Sequence, residues 1–335
     1  MRALVTGGGG FLGRKLVDLL RMAGHEVIVL CRRIYPALEA QGVPIVQADV
    51  ADAGAVTAAC SGCNVVFHLA AEVSPWGPAR DFERTNVLGT RVVFDACLSA
   101  GVSRLVYTST PSVAVGDEGV EGADETIGYA RRFLSHYART KAQAERELLS
   151  RNGTGGVHVC ALRPHLIFGP GDRHMMPRLL AAARVGKLSQ IGDGSNRVDV
   201  TYVDDAARAH LLAAEALEHN PRVAGNAYFI SQGEPIRLWD WIRRLIARLG
   251  LPAVRRSIPY APAYALGLAF ELIYRATRLS GEPPLTRWLA LNLGRPHWFD
   301  ISAARRDLGY SPALAIADGF ERLVQDLTAP AIAMR

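Results

Sequence analysis

Glycines Gly7, Gly10 and Gly13 recur every third residue between a short apolar run at 2–6 and a stretch carrying Leu12, Leu16, Leu19, Leu20 and Met22 at helical spacing. Few arrangements constrain a chain more. A strand that turns at once into a helix, with glycine at the turn, brings unbonded backbone N–H groups and the positive end of a helix dipole to one point. Such a point suits a pyrophosphate, and glycine lets the backbone approach it closely. The apolar run at 26–30 supplies the next strand of the unit, which is the context a lone glycine pattern lacks.

The same grammar recurs. Apolar runs at 44–48, 65–70, 104–109 and 157–163 read as strands, and 53–61, 82–100 and 137–152 read as helices between them. Short apolar strands alternating with helices predict an α/β fold, a doubly wound parallel (Rossmann) sheet covered on both faces. After residue 170 the alternation weakens, and helices are expected near 175–186, 204–219, 238–250, 261–279, 284–293 and 314–327. The expected organisation is a dinucleotide-binding domain over 1–170, with the chain returning to it near 195–230. A smaller, mostly helical C-terminal substrate lobe over 171–330 is interleaved with it.

Composition removes several function classes. With 49% hydrophobic and 21% charged residues the chain can bury a large core, which excludes disorder as its main state. The net charge of +6 comes from a basic set in which only Lys15, Lys141 and Lys187 are lysine. No basic run interleaved with aromatics occurs, so nucleic acid is not an expected partner. Five scattered cysteines do not form a disulfide framework, and Cys60-Ser-Gly-Cys63 lacks the second half-site a zinc ion needs, so no metal is expected. The start of the chain leads at once into the apolar run and glycine loop, which reads as cytoplasmic. The uncharged part of 258–279 is shorter than the roughly 20 residues that span a bilayer. A peripheral membrane or lipid contact through this apolar, aromatic segment stays open.

Three further features carry chemistry. The second strand ends Leu30-Cys31-Arg32-Arg33, with no carboxylate to take a ribose hydroxyl and two guanidiniums where a 2′-phosphate would lie. This favours NADP(H) over NAD(H), with Asp49 and Val50, ending the third strand, bordering the adenine. Tyr137-Ala-Arg-Thr-Lys141 places a phenol and an ammonium one helical turn apart. A free phenol titrates near 10, too high for acid–base work at neutral pH, and a neighbouring lysine would lower it; three units correspond to roughly 4 kcal/mol. Finally, Tyr107-Thr-Ser-Thr-Pro-Ser112 sets hydroxyls at a strand's carboxyl end, where parallel sheets bind ligands.

Together these residues resemble the extended short-chain dehydrogenase/reductase family. The resemblance rests also on His68-Leu-Ala-Ala71, Asn86-Val-Leu-Gly-Thr90, Arg163-Pro-His-Leu-Ile-Phe-Gly-Pro-Gly171 and Phe299-Asp-Ile, in the family's order along nearly the whole chain. It implies that Tyr137 exchanges the proton, that Lys141 lowers its pKa and binds the nicotinamide ribose, and that Thr110 is the catalytic hydroxyl, with Ser109 and Ser112 as weaker candidates. It further implies Gly7, Gly10, Phe11, Leu12 and Gly13 at the pyrophosphate, Leu69, Ala70 and Ala71 flanking the cofactor, and Pro164 at the nicotinamide amide.

Tyr228-Phe-Ile-Ser231, Gly281-Glu-Pro-Pro-Leu-Thr286 and Pro296-His-Trp-Phe299 look like the 3β-hydroxysteroid dehydrogenase branch. They are most similar to its bacterial reductases of 2-alkyl-3-oxo acids in long-chain olefin biosynthesis. The resemblance implies an NADPH-dependent reduction of a large apolar 3-oxo acid, a homodimer, and assembly with other enzymes of that pathway. The alternatives are a 3β-hydroxysteroid or sterol-4-carboxylate dehydrogenase, then a sugar-nucleotide epimerase or dehydratase, then a non-catalytic cofactor sensor. Tyr260, Tyr264, Leu266, Leu268, Phe270, Leu272 and Ile273 are expected to offer surface to alkyl chains, and Arg197 to receive the carboxylate.

Overall fold

The computed structural model describes residues 1–173 and 175–329; His174 and residue 330, both within the expected second lobe, lie outside that description. The first half alternates as its apolar runs require: β1 (Arg2–Thr6), α1 (Phe11–Met22), β2 (Glu26–Cys31), α2 (Pro36–Ala40), β3 (Ile45–Gln47), α3 (Ala53–Cys60) and β4 (Val65–His68). A helical stretch follows, α4 (Ala79–Phe82) running through a π turn at Glu83–Leu88 into α5 (Gly89–Ala100). Then come β5 (Arg104–Thr108), β6 (Val120–Ala123), α6 (His136–Ser150) and β7 (His158–Pro164).

The second half continues with β8 (Ile167–Phe168), α7 (Met175–Arg184), β9 (Ser189–Ile191), β10 (Arg197–Val198), β11 (Thr201–Tyr202), α8 (Val203–His219) and β12 (Ala227–Ile230). It ends with β13 (Ile236–Arg237), α9 (Leu238–Arg248), β14 (Arg256–Ile258), α10 (Tyr260–Thr277), α11 (Arg287–Gly294), β15 (His297–Phe299), α12 (Ser302–Leu308) and α13 (Ile316–Thr328).

Seven strands form one sheet in the order β12-β7-β5-β4-β1-β2-β3, and every pairing in it is parallel. All the carboxyl ends therefore share one edge. The order reverses between β1 and β4, and the crevice outside such a switch point is where open α/β sheets bind ligands. Period-two alternation explains why both faces are covered. Ala3, Val5, Val65 and Phe67 pack with Leu16, Val17 and Leu20 of α1 and Ala206, Ala209 and Ala213 of α8. Leu4, Val66 and Leu105 pack on the other face with Val56, Val93, Phe94 and Leu148.

At the loop, Gly7 has φ +72, and a Cβ there would lie 2.9 Å from the Ala70 nitrogen. A Cβ on Gly13 would come within 2.3 Å of the Gly7 carbonyl oxygen, so the close seating of α1 against the turn requires glycine.

The returning segment supplies α8, against α1, β5 and β7, and the seventh strand, β12. Outside the main sheet the structure adds more strand than the sequence reading expected. A mixed four-stranded sheet, β13-β10-β15-β6, joins pieces from both halves of the chain. Helices α7, α9, α10 and α11 pack beside it around Trp239, Ile242, Ile246, Ala263 and Ala290. Among the described residues no helix is long and apolar enough to cross a membrane.

Two buried ion pairs fix the helices nearest the crevice. Glu145 of α6 and Arg163 of β7 are 0% and 4% exposed in their side chains, and Arg163 Nε lies 3.1–3.2 Å from both Glu145 oxygens. In the second lobe Glu271 of α10 accepts from the Arg287 backbone N–H at 2.8 Å and from its guanidinium at 2.7 Å. The weaker Arg275 contact one turn along, at 4.0 Å, is the pair that sequence spacing suggests.

Candidate active site

The sheet's shared carboxyl edge brings the glycine loop, Arg32, Asp49, Leu69–Ala71, Thr110 and Pro164 to one side of the molecule. At the loop, Gly10 is the N-cap of α1 without a side-chain cap, and no acidic residue lies in the first turn. The Gly10 N–H bonds to the Gly7 carbonyl and the Arg14 N–H to the Gly10 carbonyl. That leaves the N–H groups of Phe11, Leu12 and Gly13 as the helix's orphan donors. An uncapped helix start with bare glycine before it fits a dinucleotide pyrophosphate.

Behind the loop, hydrogen-bond directions can be worked out. The Thr90 hydroxyl donates to the Asn86 carbonyl at 2.7 Å, so His68 Nε2, 2.9 Å from it, must donate to Thr90. His68 Nδ1 is then an acceptor, and the Thr6 hydroxyl donates to it at 2.8 Å while receiving the Ala70 N–H at 3.2 Å. Burial first, and the Lys141 charge second, hold His68 down to about 3, so this relay stays neutral. Asn86 sits in the π turn, a device common at functional sites. Its amide bonds to both backbone groups of Glu72 (2.8 and 3.1 Å) and to the Thr140 hydroxyl (3.0 Å). The loop after β4 is thereby tied to α6 one residue before Lys141. Sequence reading saw His68 and Asn86 only as parts of motifs; a polar residue inside an apolar run was the signal available.

On α6, capped by Ser135, Tyr137 is partly exposed, and the Thr110 hydroxyl is near enough to favour its phenolate. Thr110 is buried at the end of β5, and its hydroxyl lies 3.3 Å from that of Ser112. Lys141 is buried, with Nζ donating to the Thr108 carbonyl at 2.6 Å and lying 4.1 Å from the centre of the Tyr107 ring. The electrostatics differ from the sequence expectation. Burial pushes the Tyr137 phenol up to about 12, and the opposing influence is the Thr110 hydroxyl rather than the lysine. Burial also holds Lys141 down to about 7, against the Glu145 carboxylate, so in this state its charge is weakened and turned toward Thr108. Ser109 is buried with its hydroxyl unbonded, and only Ser112 of the two weaker candidates reaches Thr110.

The remaining candidates fall as follows. The Cys31 thiol donates to the Arg33 carbonyl at 2.9 Å, so the end of β2 presents no acid, and Arg32 and Arg33 are exposed. Asp49 pairs with Arg84 at 3.4 Å, and Val50 is buried beneath Gly89. Pro164 is buried at the end of β7, paired with Ile230.

A cavity of about 10 Å³, room for about one water molecule, is lined by Ser112, Val115, Leu134, Ala138, His165, Trp288, Leu291, Asn292 and His297. It lies between the two halves of the chain. One expectation is corrected here. Arg197 is exposed on β10, bonded to the Pro235 carbonyl at 3.3 Å and set over the Trp298 ring, because β10 turns that side of its strand to solvent. On α10, Leu266, Leu268, Leu272 and Ile273 are 36–55% exposed, because Ala263, Gly267 and Glu271 form its inward face. A separate hollow between α5 and α6, near the Arg91–Glu147 ion pair, contains none of the candidate residues.

Comparisons agree with this geometry. The 3-beta hydroxysteroid dehydrogenase/isomerase family matches residues 4–260. The 2-alkyl-3-oxoalkanoate reductase of Stenotrophomonas maltophilia is 47% identical over 326 residues, covering 96% of this chain and 98% of the relative. A protein of the same name from Shewanella oneidensis is 42% identical over 332 residues (97% and 86%). The 3beta-hydroxysteroid-dehydrogenase/decarboxylase isoform 1 of Arabidopsis thaliana is 37% identical over 347 residues (97% and 79%). Among solved structures, MoeE5 in complex with UDP-glucose and NAD superposes with a TM-score of 0.74 at 27% identity, covering 98% of each chain.

Proposed function

The chain belongs to the 3-beta hydroxysteroid dehydrogenase/isomerase family, and from that premise we propose that it reduces a 2-alkyl-3-oxoalkanoate to the 3-hydroxy acid with NADPH. It is an oxidoreductase that acts between a CH–OH group and its ketone and uses a nicotinamide dinucleotide. The observation that supports the finer reading is the likeness to two 2-alkyl-3-oxoalkanoate reductases, 47% and 42% identical over nearly the whole chain, with Tyr137 at the start of α6, a helix packed on the turn that Thr110 caps.

The chemistry the cofactor supplies when bound is a hydride. Phe11, Leu12 and Gly13 would hold its pyrophosphate with their free N–H groups, and Lys141 its nicotinamide ribose. Tyr137 gives its phenolic proton to the ketone oxygen, and Thr110 orients both. A phenol kept protonated at neutral pH suits the reductive direction. Alkyl chains bind through apolar burial, about 0.8 kcal/mol for each methylene. The experiment is the easier reverse reaction: NADP⁺ with a long-chain 2-alkyl-3-hydroxy acid or a 3β-hydroxysteroid, following the reduced cofactor. Turnover of the acid supports the reading; turnover of the steroid alone moves the assignment to a steroid dehydrogenase.

The preference for NADPH rests on the missing carboxylate at Cys31 and the exposed guanidiniums of Arg32 and Arg33. A charged hydrogen bond to phosphate contributes about 1.5–3 kcal/mol. Direct titration should give tighter binding of NADPH than NADH, and Arg32→Ala should narrow the gap. Equal affinities in the unaltered protein would refute the preference.

A further inference from the structure

Every exposed position of α10 from 261 to 273 is apolar: three alanines, Pro262, Leu266, Leu268, Leu272 and Ile273. That is about 20 Å of helix whose solvent face carries no hydrogen-bonding side chain. Leu279, just past its end, is 51% exposed as well. A single exposed leucine needs no explanation, but a continuous stripe does. The exposure is also fixed. On the opposite face Glu271 is buried and holds Arg287, and a Cβ on Gly267 would come within 2.7 Å of the Thr286 backbone. Helix α10 therefore lies too close to the start of α11 to roll its stripe inward.

The charges around the stripe select its occupant. Arg255 and Arg256 precede α10, Arg275 and Arg278 stand at its end, and all four are exposed. The acids between 250 and 285 are the buried Glu271 and Glu282, which pairs with Arg178 at 2.5 Å. Asp117, whose carbonyl lies 3.4 Å from the Tyr260 hydroxyl, pairs with Arg132 at 3.7 Å. Both ends of the stripe are thus positive. A second copy docked here about a two-fold axis would set arginine against arginine, whether the two helices ran parallel or antiparallel. A layer of anionic headgroups over hydrocarbon meets both features at once. Leucines enter the acyl boundary, and the long arginine stems reach back to the phosphates. At the Arg275 end, Tyr274 and Trp76 meet edge to face with centroids 6.5 Å apart, and Arg275 lies 5.3 Å over the Trp76 ring. Tryptophan and tyrosine favour the headgroup level.

We propose that α10 docks on an anionic lipid bilayer, lying in its plane with the apolar stripe at the boundary of headgroups and acyl chains and with Arg255, Arg256, Arg275 and Arg278 on the lipid phosphates. The helix lies on the bilayer rather than crossing it, since among the described residues no helix is long and apolar enough to span. A stripe that enters by the depth of its side chains holds reversibly, and both apolar area and anionic charge set its strength. The inference is independent of the reduction proposed above, because none of these residues takes part in proton transfer or cofactor binding there.

The test is flotation of the full chain with vesicles of phosphatidylcholine, alone or mixed with phosphatidylglycerol. The protein should float with the mixed vesicles and far less with phosphatidylcholine alone, and raised salt should weaken its binding. Leu268→Ser/Leu272→Ser should lower the partition coefficient roughly 10–100-fold. Arg255→Gln/Arg278→Gln, one charge from each end, should lower it roughly 30-fold on the mixed vesicles only. All four side chains are exposed, and cofactor titration checks that each variant is folded. Sedimentation without lipid should give the same mass for the unaltered protein and the leucine variant. A smaller mass in that variant would assign the stripe to a second copy and overturn the proposal. No flotation with either vesicle, or equal flotation of the leucine variant, would overturn it as well. Equal flotation with both vesicles would overturn the part given to the arginines.

Discussion

Tyr137→Phe is expected to lower turnover by roughly 10²–10⁴, the usual share of general acid–base catalysis, with cofactor affinity nearly unchanged. The substitution keeps the ring and removes only the hydroxyl that Thr110 influences. The pH dependence should separate the two directions. The phenol is held at about 12 before cofactor binds, so the proton donor is fully present across the neutral range and reduction should be nearly level there. Oxidation of the alcohol needs phenolate and should climb as pH rises. Lys141→Ala should lose both turnover and cofactor affinity. Near-normal turnover in Tyr137→Phe would mean that another group delivers the proton.

Glu145→Ala should carry the largest stability cost. Glu145 and Arg163 are both buried, and Arg163 Nη1 already lacks a partner. Removing the carboxylate strands a buried guanidinium, which costs about 3–5 kcal/mol, whereas replacing both partners by apolar residues of similar volume is often neutral or stabilising. A denaturant titration should therefore place Glu145→Ala far below the unaltered protein and Glu145→Leu/Arg163→Met much closer to it. Equal midpoints for all three would show that the pair does not hold α6 to β7.

How much of this was legible in the sequence depends on how local each signal is. The glycine loop, β1 and α6 read correctly because turn chemistry and period are written within a dozen residues. The strand β12 did not, since Ala227–Ile230 is four residues long and becomes a strand only by pairing with β7 from Ala161 to Pro164. The small mixed sheet was invisible for the same reason: Val120 of β6 pairs with His297 of β15. The Tyr137–Lys141 spacing was plain, but its electrostatics were not, because burial and the Thr108 carbonyl are tertiary facts. Arg197 looked suitable by charge alone, and the His165–His297 imidazole pair joins positions 132 residues apart.

The most direct measurement follows the hydride itself. NADPH deuterated at the transferred position of C4, a freshly generated long-chain 2-alkyl-3-oxo acid and the protein are combined, and the 3-hydroxy acid is analysed by mass spectrometry. The account predicts one deuterium on C3, with Tyr137→Phe forming the same product far more slowly. A 3-hydroxy acid without label, or label passing only to a steroid 3-ketone, would contradict it.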